Sequence, residues 1–141
     1  MTKITKSLLL CTALTSASFA WATAAVTFTS SGTVNQGGTA VGTATNIGAC
    51  SSLNNADYVT IALSANNGGG YACNSVNVGV AVASSKGRGI IYSTNSNGGN
   101  AVNQTTNSGG RFTGTASAAL TAAAAASGTA ATDEVDNKAG T

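Results

Sequence analysis

Apolar and polar residues alternate with a period of two over several stretches that follow residue 25. The clearest stretch has valine at every second position: Val76, Val78, Val80 and Val82. Shorter stretches of the same kind are Val26 with Phe28, Val59 with Ile61 and Leu63, and Ile90 to Tyr92; weaker ones contain Val102 and Phe112. Alternation with β-branched residues on one face is typical of half-buried β-strands. The pattern therefore predicts a β-rich domain in which the four valines lie on a buried face.

Clusters of Gly and Asn separate the predicted strands. Four of them lie at residues 66–70, 86–89, 97–100 and 107–110. Asn-Gly and Gly-Gly adopt the positive φ of tight hairpin turns at little steric cost. From residue 58 to about residue 115 the sequence predicts a meander of about five strands, and the segment 25–45 adds one or two. The expected fold is all-β, a small antiparallel sandwich or barrel-like meander of about 6–7 strands.

The C-terminal tail, residues 116–141, has a different composition, since residues 116–126 are almost all Ala. Alanine has the highest helix propensity, Thr115 or Ser117 can cap a helix there, and Gly128 can end it. A helix of about eleven residues with one Leu is nevertheless marginal in water. The sequence leaves a helix, a disordered segment and a last strand open, and the acidic end from Asp133 onwards is expected to be solvated. The β domain is expected to span 25–115.

The first 24 residues have the composition of a secretory signal peptide. Lys3 and Lys6 precede a short apolar stretch around Leu8 to Leu14, and small residues follow it. Cleavage is expected after Ala20, Ala22 or Ala24, with the last two favoured. The apolar stretch is shorter than the roughly 20 residues of a membrane-spanning helix. The leader predicts export through a bacterial periplasm to the cell surface or beyond, with no membrane insertion of the mature chain.

The charge of the mature chain bears on its partners. The whole chain has a net charge of +2, and removal of the leader takes away two lysines. The remaining charges balance: Lys86, Arg88, Arg111 and Lys138 against Asp57, Asp133, Glu134 and Asp136. A neutral chain lacks the basic surface that nucleic acids require. Nucleic acid is therefore not an expected partner.

Two cysteines, Cys50 and Cys73, remain after the leader. An even pair in an exported chain predicts a structural disulfide. Closing a loop of this length stabilises a protein by roughly 3 kcal/mol on the chain-entropy estimate. A redox pair is usually Cys-x-x-Cys, and zinc needs more ligands than the chain offers.

The chain has little equipment for catalysis. It contains no His and a single Glu, which excludes histidine-based acid–base chemistry and histidine-ligated metals. Ser85 next to Lys86 is interpreted as part of a turn and not as a catalytic Ser-Lys pair. Residues 86–89 lack the spacing of a phosphate-binding loop. The acidic segment 133–136 lacks the glycine and remaining ligands of a calcium loop. We predict no enzyme, no catalytic or metal-binding residue and no cofactor.

The lack of charge along the predicted strands indicates a function. Between Ala25 and Ser85 the only charged residue is Asp57, and the chain contains no Pro. Soluble β proteins usually protect exposed sheet edges with Lys, Pro or inward charges, because an unprotected edge pairs with other chains. Low charge, no Pro and β-branched alternation suit assembly by strand pairing. The hypothesis is a structural subunit that polymerises outside the cell, with itself or related subunits, into a pilus-like or amyloid-like fibre.

In this hypothesis the assembly strands are Val26 with Phe28, as a donor strand, and the stretch Val76, Val78, Val80 and Val82. The alternative is a monomeric secreted binding module, such as an adhesin or a glycan- or ice-binding domain. Thr, Asn and Ser on a flat sheet can present hydroxyls and amides to such a ligand. The sequence has no sustained Thr-x-Thr repeat, and Tyr58, Tyr71 and Tyr92 are scattered, so the fibre subunit is the favoured prediction.

Overall fold

The computed structural model describes residues 25–54, 57–96 and 102–136, and the expected signal peptide, residues 1–24, lies outside these ranges. In this part of the chain there are eight strands and one helix. Their bounds are β1 (Val26–Phe28), β2 (Gly32–Asn35), β3 (Asn46–Ala49), β4 (Tyr58–Ile61), β5 (Asn67–Cys73), β6 (Val78–Ser84), β7 (Ile90–Asn95), β8 (Asn103–Thr106) and α1 (Ala116–Val135).

The strands form two sheets. The large sheet has five antiparallel strands in the order β1-β5-β6-β7-β8, and the small sheet has three in the order β3-β2-β4. The predicted β-rich fold and the meander of successive neighbours from β5 to β8 are confirmed. Four features differ from the expectation. β2 and β3 pair in parallel, and a helix of 20 residues is present. Residues 67–70, expected in a turn, belong to β5, and Phe112, expected in a strand, lies in the connection between β8 and α1.

The large sheet is the middle layer of three. On one face its Tyr71 packs with residues of β1 and the small sheet, in a cluster that also contains Phe28, Val34, Cys50 and Ile61. On the other face the small side chains of β5, β6 and β7 pack against α1; this second cluster is Ala72, Ala81, Ala83, Ile91, Ala123, Ala130, Ala131 and Val135. The larger side chains thus lie between the sheets, and the alanine-rich helix covers the face with small residues.

Glycines let the backbone of α1 approach the large sheet closely. A Cβ atom at Gly68 would lie 2.8 Å from the Cα of Ala124, and one at Gly70 would lie 2.5 Å from the carbonyl carbon of Ser127. A Cβ atom at Gly79 would overlap the carbonyl oxygen of Ala131. We call Gly68, Gly70 and Gly79 the glycine track. Because no side chain intervenes there, the helix packs with its backbone against the sheet.

The helix is longer than the sequence indicates. The Thr115 hydroxyl accepts a hydrogen bond from the N–H of Ala118 at 3.2 Å, so the predicted N-cap is confirmed. The predicted stop at Gly128 is wrong, since α1 continues to Val135. Ser127 Oγ lies 3.1 Å from the carbonyl oxygen of Gly68, a contact that joins the middle of α1 to the glycine track. Tertiary contacts therefore sustain a helix that would be marginal alone.

A covalent bond and a buried phenol join the two sheets. The predicted disulfide between Cys50 and Cys73 is present, and it connects the residue after β3 to the end of β5. The Tyr71 hydroxyl donates to the carbonyl oxygen of Ala49 at 3.0 Å. Burial raises the pKa of Tyr71 above its ordinary value. Among the described helices, none has the length and apolar character needed to cross a membrane.

Candidate functional site

The predicted assembly residues lie at three kinds of position. Phe28 is buried in the core between the sheets, next to Gly69, and Val26 is half-buried on the same strand. The half-buried valines of β6 are Val78, Val80 and Val82. Val76 precedes β6 and is 74% exposed. The structure therefore brings β1 together with Val78 and Val80 in the cluster between the sheets, whereas Val82 and Val76 are not part of that cluster.

Strand β6 lies inside the large sheet. It pairs with β5 on one side and with β7 on the other. Its residues Gly79, Ala81 and Ala83, which face α1, are more deeply buried than its valines. The backbone N–H and C=O groups of β6 are therefore paired with β5 and β7, and β6 can contribute to an assembly only by forming part of the core of each copy.

The large sheet ends at β8 on one side and at β1 on the other. Neither strand contains a charged residue. In β8, Gln104, Thr105 and Thr106 are exposed, whereas Asn103 is half-buried. Within the described residues, no further strand lies beyond β8. Since alternate backbone groups of an edge strand point away from its neighbour, β8 offers N–H and C=O groups to another chain.

One row of side chains continues across this margin on the face opposite α1. Val82, Tyr92 and Gln104 are successive partners in the register of β6, β7 and β8. Val82 is half-buried, Tyr92 is 49% exposed and Gln104 is exposed. The small sheet thus covers the part of the large sheet near β1 and leaves the β7–β8 part accessible.

A buried carboxylate lies on the other face of the same margin. Glu134, near the end of α1, is 2% exposed. Its Oε1 accepts hydrogen bonds from Ser93 Oγ at 2.6 Å and from Asn103 Nδ2 at 2.6 Å, and its Oε2 accepts one from Asn95 Nδ2 at 3.1 Å. All three donors are uncharged side chains. The expectation of a solvated acidic end is wrong for Glu134, because this carboxylate connects α1 to β7 and β8.

The strand register explains how this cluster forms. Ser93 of β7 lies directly opposite Asn103 of β8, and Asn95 follows two residues after Ser93 on the same face. Glu134 lies one helical turn after Ala130, and both line a groove of about 260 Å³ between α1 and the β7–β8 margin. The polar residues that line the groove are Ser93, Asn103, Gln104, Thr105, Asp133 and Glu134.

Sequence reasoning missed this site. Glu134 lies in a segment that is acidic in the sequence, and Ser93 belongs to no motif. Asn103 begins the sequence Asn-Gln-Thr, a glycosylation sequon, but that motif does not indicate a contact with a carboxylate. One weak signal for the burial of Glu134 is present in the sequence. Successive spacings of four, four and three residues connect Ala123, Ser127, Ala131 and Glu134, and such spacings place residues on one face of a helix. That signal requires a helix through Gly128, which the local sequence does not favour.

The motifs that the sequence analysis set aside are ordinary in the structure. Ser85 Oγ donates to the carbonyl oxygen of Asn66 at 2.8 Å in the turn after β6, and Lys86 beside it is exposed. In the described ranges, no three potential metal-ligating side chains of Asp, Glu or Cys lie together. Comparison with known proteins gave no match: no protein-family model, no curated protein and no solved structure is significantly similar to this chain.

Proposed function

We propose that this protein is an exported structural subunit that assembles with copies of itself into an extracellular fibre by pairing of β-strands. The observation that carries the proposal is the open margin at β8, which is uncharged and has three exposed residues out of four. Among the described residues, α1 lies on the face of the large sheet and no strand pairs with the outer side of β8. Native proteins that remain monomeric usually protect such an edge.

The other margin supports the same proposal in a different way. Strand β1 is only three residues long, and it pairs with β5 through Val26, Thr27 and Phe28. Phe28 fills the space above Gly69, where a side chain on residue 69 would overlap the ring. A short strand with one anchoring aromatic residue is an element that a neighbouring copy can also supply. Exchange of β1 between copies would add a second strand-pairing contact.

The disulfide fits the predicted export, because structural disulfides persist in oxidising compartments. The extracellular location and the fibre itself are part of the proposal. In a fibre, main-chain hydrogen bonds would supply the affinity, and the row Val82, Tyr92 and Gln104 would contact the adjoining copy.

The test uses the mature protein and two double variants of equal charge. Gln104→Lys with Thr106→Lys places two charges on the β8 edge, whereas Ala122→Lys with Thr129→Lys places two on the exposed side of α1. We expect the wild type and the α1 variant to form filaments in negative-stain microscopy and to scatter light, and the β8 variant to remain monomeric. A wild type that stays monomeric at high concentration would overturn the proposal. Filaments from the β8 variant would overturn the role of this margin.

The alternative, a monomeric binding module, is supported by the polar groove between α1 and the β7–β8 margin. Hydroxyl, amide and carboxylate groups of this kind suit a polar ligand such as a glycan. Retention of a monomeric protein on a glycan column, lost in Thr105→Ala and kept in Gln36→Ala, would favour it; Thr105 lines the groove and pairs with Ile91, which faces α1. Gln36 is exposed in the turn after β2 and lies outside the groove.

A further inference from the structure

Two side chains at the β7–β8 margin contact one carboxylate oxygen of α1. Ser93 Oγ and Asn103 Nδ2 each lie 2.6 Å from the same atom, Oε1 of Glu134. The hydroxyl and the amide nitrogen are therefore no more than about 5 Å apart. Ser93 is 3% exposed and Glu134 is 2% exposed. Asn103 is half-buried, and a nucleophile, an amide and a carboxylate thus meet in the wall of the groove.

We propose that Ser93 and Asn103 form an ester cross-link between β7 and β8, with Glu134 transferring the proton. Glu134 Oε1 accepts the proton from Ser93 Oγ as this oxygen attacks Cγ of Asn103. The same carboxyl group then donates that proton to Nδ2 as the Cγ–Nδ2 bond breaks. The products are an Oγ–Cγ ester bond and one molecule of ammonia. Glu134 returns to its initial state, and no oxidant, reductant or other reactant is consumed.

The contacts of one carboxylate oxygen make this sequence of steps direct. A general base must reach the proton that it removes, and a general acid must reach the leaving group, each at about 2.6–3.2 Å. Oε1 of Glu134 meets both conditions without moving to a second position. Asn95 is a positioning residue, since its Nδ2 holds Oε2 at 3.1 Å and fixes the orientation of the carboxylate.

The strand register also permits the bond. Ser93 and Asn103 are direct cross-strand partners. An ester between them would connect the two Cβ atoms through three bonds, the same number as in a disulfide. Disulfides connect Cβ atoms about 3.8 Å apart, and we take this as the separation that an ester also needs. Directly opposite residues in antiparallel strands have Cβ atoms about 4.5–5.5 Å apart, so closure requires an approach of about 1 Å. Holding the reacting groups together in this way lowers the entropic barrier of the step.

Such a bond would attach the edge strand covalently to the sheet. Strand β8 pairs only with β7 among the described strands, so without the bond only hydrogen bonds and side-chain contacts hold it. The inference rests on the contacts of Glu134 and is independent of the proposed assembly. Either can fail without the other.

The test is the intact mass of the purified mature protein with its disulfide formed. We expect the wild type, and Ser93→Thr, to be lighter than the sequence requires by one molecule of ammonia. Ser93→Ala lacks the nucleophile, and we expect it to retain the full mass. Glu134→Gln keeps the size of the side chain but cannot accept the proton, and we expect slow or no loss. Circular dichroism establishes that each variant compared is folded.

Tandem mass spectrometry locates the bond. Trypsin cleaves after Arg88 and Arg111, so one peptide contains both Ser93 and Asn103. A cross-link closes a ring in this peptide, and backbone fragments between the two residues are then expected to be lost. Asparagine can also lose ammonia by forming a succinimide, but that reaction does not need Ser93. A wild type of unchanged mass, or ammonia loss that persists in Ser93→Ala, would overturn the proposal.

Discussion

Substitution of Gly70 by Ala tests the close packing between α1 and the large sheet. The new Cβ atom would lie 2.5 Å from the carbonyl carbon of Ser127 and would overlap the backbone of Gly128. Carbon atoms in contact are normally about 3.5–4.0 Å apart, so the helix must move outward by about 1 Å. Both partners are backbone, which cannot rotate away as a side chain would.

The magnitude follows from this displacement. Overpacking of a dense core costs about 1–3 kcal/mol, and lifting α1 also opens gaps beneath Ala123 and Ala131, which are fully buried. Alanine in place of glycine in a strand recovers about 0.5–1 kcal/mol of backbone entropy. We expect Gly70→Ala to lower the free energy of unfolding by about 2 kcal/mol. For a domain of this size, that corresponds to a fall in Tm on the order of 10 °C.

Urea unfolding followed by circular dichroism measures the effect, with two other alanine substitutions as controls. At Gly37 the nearest atom to a new Cβ is Thr39 Oγ1 at 3.6 Å, so Gly37→Ala is expected to change stability little. At Gly128 a new Cβ would meet the methyl group of Thr27 at 2.8 Å, and a side chain can adjust. The improved helix propensity, about 1 kcal/mol, offsets that contact. Equal midpoints for Gly70→Ala, Gly37→Ala and the wild type would refute the packing argument.

Three further predictions concern single interactions. Because the pKa of Tyr71 is raised in the folded state, the contribution of Tyr71 to stability is expected to be fully present below about pH 10, the pKa of an exposed tyrosine, and to be lost as the pH rises above it. Tyr71→Phe should lose less stability above about pH 10 in urea titrations at several pH values. Replacing both Cys50 and Cys73 by Ser is expected to lower the free energy of unfolding by about 3 kcal/mol, and the reduced wild type should match the variant in the same urea assay. Thr115→Ala removes the cap of α1 and is expected to cost about 1 kcal/mol, whereas Thr115→Ser should retain most of it in thermal unfolding; equal losses would show that the hydroxyl does not act as a cap.

The parts of the fold that the sequence predicts are those set by local patterns. Alternating valines and Gly-rich clusters are local signals, and they indicate most of β6 and the turn at residues 86–89 that follows it. The same rule predicts a turn at the cluster of residues 66–70, but residues 67–70 belong to β5. The strands β2 and β3 are consecutive, but they pair in parallel across residues 36–45, and the sequence carries no signal comparable to a tight hairpin turn for that pairing. The same holds for the full length of α1, since an alanine-rich helix interrupted by Gly128 is weak until the sheet supplies a surface for it.

The buried carboxylate could not be predicted for a related reason. Glu134 lies between Asp133 and Val135 in a segment that is acidic in the sequence, and acidic residues are rarely buried. Its burial depends on the glycine track, which brings α1 close enough for the carboxylate to reach Ser93 and Asn103. The glycines therefore have a role that their turn propensity does not indicate. The glycines of the track allow α1 to pack directly on the large sheet, and this packing places Glu134 beside Ser93 and Asn103.

The topology also limits how copies can join. Four antiparallel pairings separate β1 from β8, so the two margins of the large sheet run in the same direction. Two β8 strands related by a two-fold axis would pair antiparallel and close a dimer, which leaves both β1 margins free. A β8 strand joined to β1 of the next copy would pair in parallel and leave one margin of each kind open. Repetition of that contact gives an unlimited fibre, whereas the β8–β8 contact gives a fibre only if β1 margins also pair.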